Sequence, residues 1–167
     1  SWRMNPVWSP DGRQVAFLSD ATGEYELYVQ AQDGSTPPRQ LTTGGDSWRM
    51  NPVWSPDGSR IALTDKLHRL HLVEVSTGLT THIDTGQYSD IDDVRFSPDS
   101  RWLAYVKSNA SRNGSIWLYS IASGERTQLT GDDSRERAPT WDPKGRWLYF
   151  LSDRDFNLTF SAYEFNF

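Results

Sequence analysis

Residues 1–12, SWRMNPVWSPDG, return letter for letter as residues 47–58. The copies then diverge: Arg13-Gln14-Val15-Ala16-Phe17 follows the first, and Ser59-Arg60-Ile61-Ala62-Leu63 follows the second. A looser form of the motif, an aromatic followed by Ser/Asp, Pro, Asp/Lys and Gly/Ser, occurs four times. It starts at Trp8, Trp54, Phe96 and Trp141, at steps of 46, 42 and 45 residues. A fixed period restricts the fold sharply, because a unit of about 45 residues cannot bury its apolar faces alone and must stack on its neighbours.

Each unit divides in the same way. A short strand ends at the aromatic, as at 51–54. Ser-Pro-Asp-Gly then predicts a tight turn: Pro presets φ at the first central position, Asp suits the second, and Gly tolerates the left-handed exit. Ser100 stands where the third unit should have this Gly, which predicts local strain. The second strand, at 15–18, 61–63, 102–106 and 147–151, is apolar at nearly every position and should be buried on both faces. A third strand is expected at 25–30, 69–75, 115–121 and 158–165, and a more polar outer strand at 39–43, 79–84 and 125–130. No segment sustains a helical period.

The chain therefore reads as a single all-β domain, a β-propeller of about four blades. Each blade is a four-stranded antiparallel meander, with units near 1–46, 47–88, 89–133 and 134–167. The fourth unit reaches Phe167 without an outer strand. That implies a partial ring, or half of an eight-bladed ring made by two chains head to tail. Identity over a dozen residues beside divergent flanks exceeds what packing alone demands. Recent duplication and deliberate engineering of one unit on another both account for it.

The net charge of −5 comes without a Lys/Arg stripe, so nucleic acid is not expected as a partner. No stretch approaches the roughly 20 apolar residues of a spanning helix, and no membrane partner is expected. There is no cysteine, which removes disulfides, thiolate metal sites and cysteine nucleophiles. Eight tryptophans supply large apolar areas from few positions.

Candidates for chemistry are few. Asp84-Thr85-Gly86 matches an aspartic-protease triplet, but it falls where an outer strand ends in a turn, and a dyad needs a second carboxylate beside it. Gly45-Asp46-Ser47 resembles a hydrolase nucleophile motif without a histidine in its loop class. His68 and His71 are three apart, which places them on opposite faces of a strand. Asp90, Asp92 and Asp93, with Asp132 and Asp133, lack a calcium-loop spacing and read as solvated turns. No catalytic residue, metal or cofactor is expected. The loops from one blade to the next gather at one mouth of a propeller, and they hold Trp2, Arg3, Trp48, Arg49, Tyr88, Arg135 and Arg137. These residue types dominate binding hot spots, and an arginine set suits a peptide carboxylate. The structural alternative is that Trp2 and Trp48 wedge between blades.

The Ser-Pro-Asp-Gly hairpin with its apolar strand resembles the TolB-like (WD-like) propeller repeat, found also in tricorn-type and prolyl-oligopeptidase-type serine peptidases. Residues 147–167, WLYFLSDRDFNLTFSAYEFNF, are similar to the last blade of the N-terminal propeller of bacterial tricorn-type peptidases. The resemblance implies a non-catalytic accessory domain that filters or guides peptides towards a separate protease core. Nothing of that core is matched. Its implied partners are peptides, missing blades of a parent chain, or a second copy. The alternative is a self-associating, engineered scaffold that completes a ring without enzymatic activity. A bacterial cytoplasm and a periplasm suit the chain equally.

Overall fold

A computed structural model describes residues 2–154, in which every regular element is a β-strand. The first sheet holds β1 (Arg3–Trp8), β2 (Gln14–Ser19), β3 (Glu26–Ala31) and β4 (Arg39–Gln40) in chain order. The second holds β5 (Arg49–Trp54), β6 (Arg60–Asp65), β7 (Arg69–Glu74) and β8 (Thr80–Thr85). The third holds β9 (Asp92–Phe96), β10 (Trp102–Ser108), β11 (Gly114–Ser120) and β12 (Arg126–Gln128). Among the described residues the fourth contributes β13 (Glu136–Trp141) and β14 (Leu148–Ser152). The strand expected at 158–165 lies outside the described residues. All pairings are antiparallel, so these are the predicted meanders.

The turn chemistry explains why the motif recurs. Ser9 Oγ donates to Asp11 (2.6 Å) and accepts from the Gln14 N–H (2.9 Å), while the Gly12 N–H closes the turn on Ser9 O (2.9 Å). Ser55 with Asp57 and Ser97 with Asp99 repeat the arrangement, each at 2.6 Å. Hydrogen bonds from the Ser9 and Ser97 hydroxyls, with backbone N–H groups, hold Asp11 and Asp99 below the ordinary carboxylate value. In the fourth unit the acid moves from the fourth position of the motif to the Ser position. Asp142 itself accepts the Arg146 and Trp147 N–H groups, which frees the fourth position for Lys144.

A second repeated device lies in each inner strand. Asn5, Asn51, Asp93 and Ala138 adopt φ of 50°, 54°, 52° and 52°, each at a β-bulge where the register slips. Asn and Asp tolerate the left-handed region through their short polar side chains, but Ala138 does not. Ala138→Asn is therefore expected to raise stability by about 1 kcal/mol, read as a higher urea midpoint at unchanged slope.

The sheets stack in chain order. Ala16, Leu18, Leu27 and Val29 of the first pack against Trp54, Ile61, Leu63 and Val73 of the second. Ala62, Leu70 and Leu72 of the second meet Phe96, Leu103 and Tyr105 of the third. Alternate residues of one strand thus serve two seams, which is why the second strand is apolar throughout. The expected burial on both faces holds for β2, β6 and most of β10 but not for β14, where Tyr149 and Leu151 are exposed. For Tyr149 and Leu151 the reason is positional, since among the described residues no further sheet covers the outward side of the fourth unit; Phe150, on the other face by alternation, is exposed as well.

Polar hooks cross each seam. Trp54 Nε1 donates to Val7 O (3.2 Å), and Trp141 Nε1 donates to Arg95 O (3.4 Å), in each case the carbonyl just before the preceding unit's aromatic. Phe96 has no such donor. Its seam is instead tied at the turn, where Ser100 Oγ accepts the Asp57 N–H (3.0 Å). The expected strain is present at Ser100 (φ 59°), and its buried hydroxyl supplies a contact that glycine could not.

Two outer strands are shorter than predicted. Thr42 Oγ1 takes the Leu27 N–H and Thr130 Oγ1 the Ile116 N–H, both at 2.9 Å, so a side chain takes one of the two ladder bonds there while the Leu27 and Ile116 carbonyls still accept the Leu41 and Leu129 N–H groups. Asp84, at the equivalent place, leaves the ladder running to Thr85.

Candidate binding face

The β2–β3, β6–β7 and β10–β11 connections share one end of the stack with the links between sheets. Trp48 from the first link lies on Tyr25 from the β2–β3 connection, with ring centroids 4.9 Å apart and planes 11° apart. Lys66 Nζ sits 4.2 Å from the centroid of the Trp48 ring. In the next seam Gly86 N–H donates to His68 O (2.8 Å), and in the third Asn109 Nδ2 donates to Asp132 O (3.1 Å).

Beneath these loops the charged groups are tied to one another. Glu26 is buried and accepts from Thr42 Oγ1 (2.5 Å), the Gly45 N–H (2.7 Å) and the Arg49 guanidinium. Asp65 accepts from Arg69 Nε (2.7 Å) and lies 3.0 Å from His71 Nε2, while Arg69 also reaches Asp46. Burial lowers the His71 pKa below its ordinary value, and the Asp65 contact offsets this only partly, so the ring is neutral at pH 7.

Asp84 is the most heavily held group. It accepts from Tyr105 Oη (2.8 Å), Lys107 Nζ (3.0 Å) and Arg126 Nη1 (2.8 Å), all from the third sheet. Burial alone would raise its pKa. The hydrogen bonds from Lys107, Tyr105 and the Thr85 N–H, with the Lys107 charge, outweigh burial and hold it below 3.8. The Asp84-Thr85-Gly86 triplet is thus an interblade tie, with no second carboxylate against it among the described residues. His68 pairs with Asp90, away from His71. Among the described residues no group of three or more His, Cys, Asp or Glu side chains could hold a metal ion.

Aromatic and amide side chains gather at one place on this face. A cavity of about 340 Å³ lies between the β8–β9 link and the third sheet, lined by Gln87, Tyr88, Lys107, Asn109, Trp117 and Asp132. Lys107 Nζ is 4.7 Å from the centroid of the Trp117 ring, which gives the cavity an aromatic wall with a cationic edge.

The seven residues expected at the mouth are placed unequally. Tyr88 lines this cavity and is exposed, and Trp48 stands at the surface in its stack. Trp2 and Arg3 are exposed at the first sheet, where Arg3 lies over the Phe17 ring. Arg135 is exposed, and Arg137 donates to Asp153 (2.7 Å). Arg49 is buried against Glu26 rather than open to the mouth. Sequence reasoning missed Tyr25, Lys66, Lys107 and Trp117. The cross-strand offset of Lys107 and Trp117 was the available signal, since antiparallel pairing of Tyr105 with Trp117 puts both on one face.

A family profile described as the tricorn protease second beta propeller domain matches residues 4–167. Tricorn protease homolog 1 of Streptomyces coelicolor is 27% identical over 168 residues, taking in 98% of this chain and 16% of that protein. The crystal structure of the tricorn protease superposes with a TM-score of 0.78 at 19% identity, covering 86% of this chain and 14% of that one. TolB from Acinetobacter baumannii superposes with a TM-score of 0.64 at 22% identity, covering 89% and 37%. Both structures establish the propeller-type fold. The chain spans 11, 22 and 50% of the lengths of three further curated relatives. The part matched is a propeller, and the catalytic domain of the peptidase is not covered.

Proposed function

The chain belongs to the tricorn protease second beta-propeller family, and from that premise we propose that it is a non-catalytic propeller segment of a larger tricorn-type protein whose loop face receives peptides. One observation carries this reading. Glu26 and Asp84 are held in pairs across their seams, while Tyr88, Trp117 and the amides beside them line an open cavity. Aromatic faces take up apolar side chains, and amides meet a peptide's main-chain groups, so such a groove suits an extended peptide.

The test is fluorescence anisotropy with a set of short labelled peptides carrying free C-termini. Binding should weaken about tenfold or more in Tyr88→Ala, a loss typical of a hot-spot aromatic. Trp147→Ala, at the opposite end of the fourth unit, should bind as the parent does. Equal affinity of parent and Tyr88→Ala for every peptide would overturn the reading.

A further inference from the structure

The register of the second sheet brings together two histidines that the sequence keeps apart. His71 of β7 stands directly opposite His82 of β8, and opposite Leu63 of β6 on its other side. Directly paired residues share a face of a sheet, and Leu63 packs on the first sheet, so both imidazoles lie on that side. Their ring centroids are 5.7 Å apart, with planes at 63°. His71 is 9% exposed, whereas His82 is open to solvent. The spacing of His68 and His71 gives no hint of this pair, because the partner comes from the next strand.

Each ring is anchored through one nitrogen. His71 Nε2 lies 3.0 Å from Asp65 Oδ2, and His82 Nε2 lies 2.9 Å from Thr85 Oγ1. With those oxygens accepting the Nε2–H, the Nδ1 atoms carry the lone pairs, and neither Nδ1 has a hydrogen-bond partner among the described residues. A carboxylate on the far nitrogen is the usual outer support of a metal-bound histidine: it fixes the tautomer and raises the basicity of the ligand. Two imidazoles on one zinc ion, each at about 2.0–2.1 Å, hold their ring centres roughly 5 Å apart. The observed separation is close to that, and χ2 of histidine is a broad torsion through which the lone pairs converge. The linked charges around His71 also suit a dication, since three carboxylates (Glu26, Asp46, Asp65) face two guanidiniums (Arg49, Arg69).

We propose that His71 and His82 form a two-histidine site for a transition-metal dication of the zinc class on the outer half of the second sheet. Paired imidazoles select zinc, copper or nickel over the oxygen-seeking magnesium and calcium. Two protein donors fill half of a tetrahedral ion, which leaves two positions to water or to a donor group of a bound molecule. The ion clasps β8, the last strand of its sheet, to β7, so metal binding stabilises that edge. Asp65 and Thr85 are positioning residues. The proposal is independent of the peptide-binding reading.

The test is a zinc titration of the untagged chain by isothermal calorimetry, with the imidazole signals followed by NMR. The chain has three histidines, so each is its own probe. One zinc per chain is expected, with the His71 and His82 rings shifting together and His68, paired to Asp90, unmoved. At zinc about 100-fold above the dissociation constant the melting temperature should rise by about 5 °C or more, and magnesium should leave it unchanged. His82→Ala alters an exposed side chain, so it should melt close to the parent without metal and lose the zinc-induced rise. Thr85→Val keeps both ligands and should weaken zinc about tenfold. Three results would each overturn the proposal: unchanged zinc affinity in His82→Ala; zinc retained by His71→Ala, with His82 bridging two chains; or equal shifts of all three histidines, the mark of indifferent surface binding.

Discussion

Arg49→Ala is expected to lower stability by about 3–5 kcal/mol, while the same substitution at Arg3 stays within about 0.5 kcal/mol. The two arginines sit in identical local sequence, so propensity and turn chemistry cancel in the comparison. Arg49 is buried and pairs with Glu26, whose side chain is 3% exposed; Arg3 is open to solvent. Removing Arg49 leaves a buried carboxylate with only Thr42 and the Gly45 N–H to stabilise it. Urea midpoints of the two variants at constant slope measure the difference directly. Pairing Arg49→Met with Glu26→Gln should recover much of the loss, since an uncharged pair of similar volume leaves no stranded charge. Equal midpoints for Arg49→Ala and Arg3→Ala would show that the seam does not depend on the ion pair.

The second large effect is at Asp84. Asp84→Ala should cost about 3 kcal/mol or more, because Lys107 and Tyr105 lose the acceptor they meet inside the seam. Arg126 is half-exposed and adds little to that figure. A pH dependence follows from the depressed carboxyl. Its pKa in the folded chain lies below 3.8, so its contribution is complete above that value and is lost as pH falls through the lower, folded-state value. The melting temperature of the parent should therefore drop steeply on the acid side of pH 3.8, and more shallowly in Asp84→Asn. An acid limb of the same slope in both proteins would remove Asp84 from the account.

Much of this architecture is legible in the chain itself, for reasons that differ by element. The turns are local: Ser9, Asp11 and Gly12 satisfy one another within a few residues, so their spelling announces them. The second strands are legible because a strand that serves two seams must be apolar on both sides. Outer strands were overextended by sequence reasoning because Thr42 and Thr130 close the sheet edge with side-chain oxygens, and a threonine in a polar strand carries no mark of doing so. The mouth residues divide for a related reason. Tyr88 and Trp48 could be named from residue type and loop class, whereas Arg49 was grouped with them although its guanidinium turns inward to a carboxylate 23 positions away.

The sequence by itself determined the period, the tight turns, the all-β stacking and the membership of a repeat class, since each rests on interactions within one unit or on a pattern that every unit repeats. Only the tertiary structure decided which copy of an identical dozen is buried, which acids tie the seams and which aromatics remain open to a ligand. Burial belongs to a residue and its neighbours together: SWRMNPVWSPDG has one spelling, but water and a packed sheet are different solvents for it.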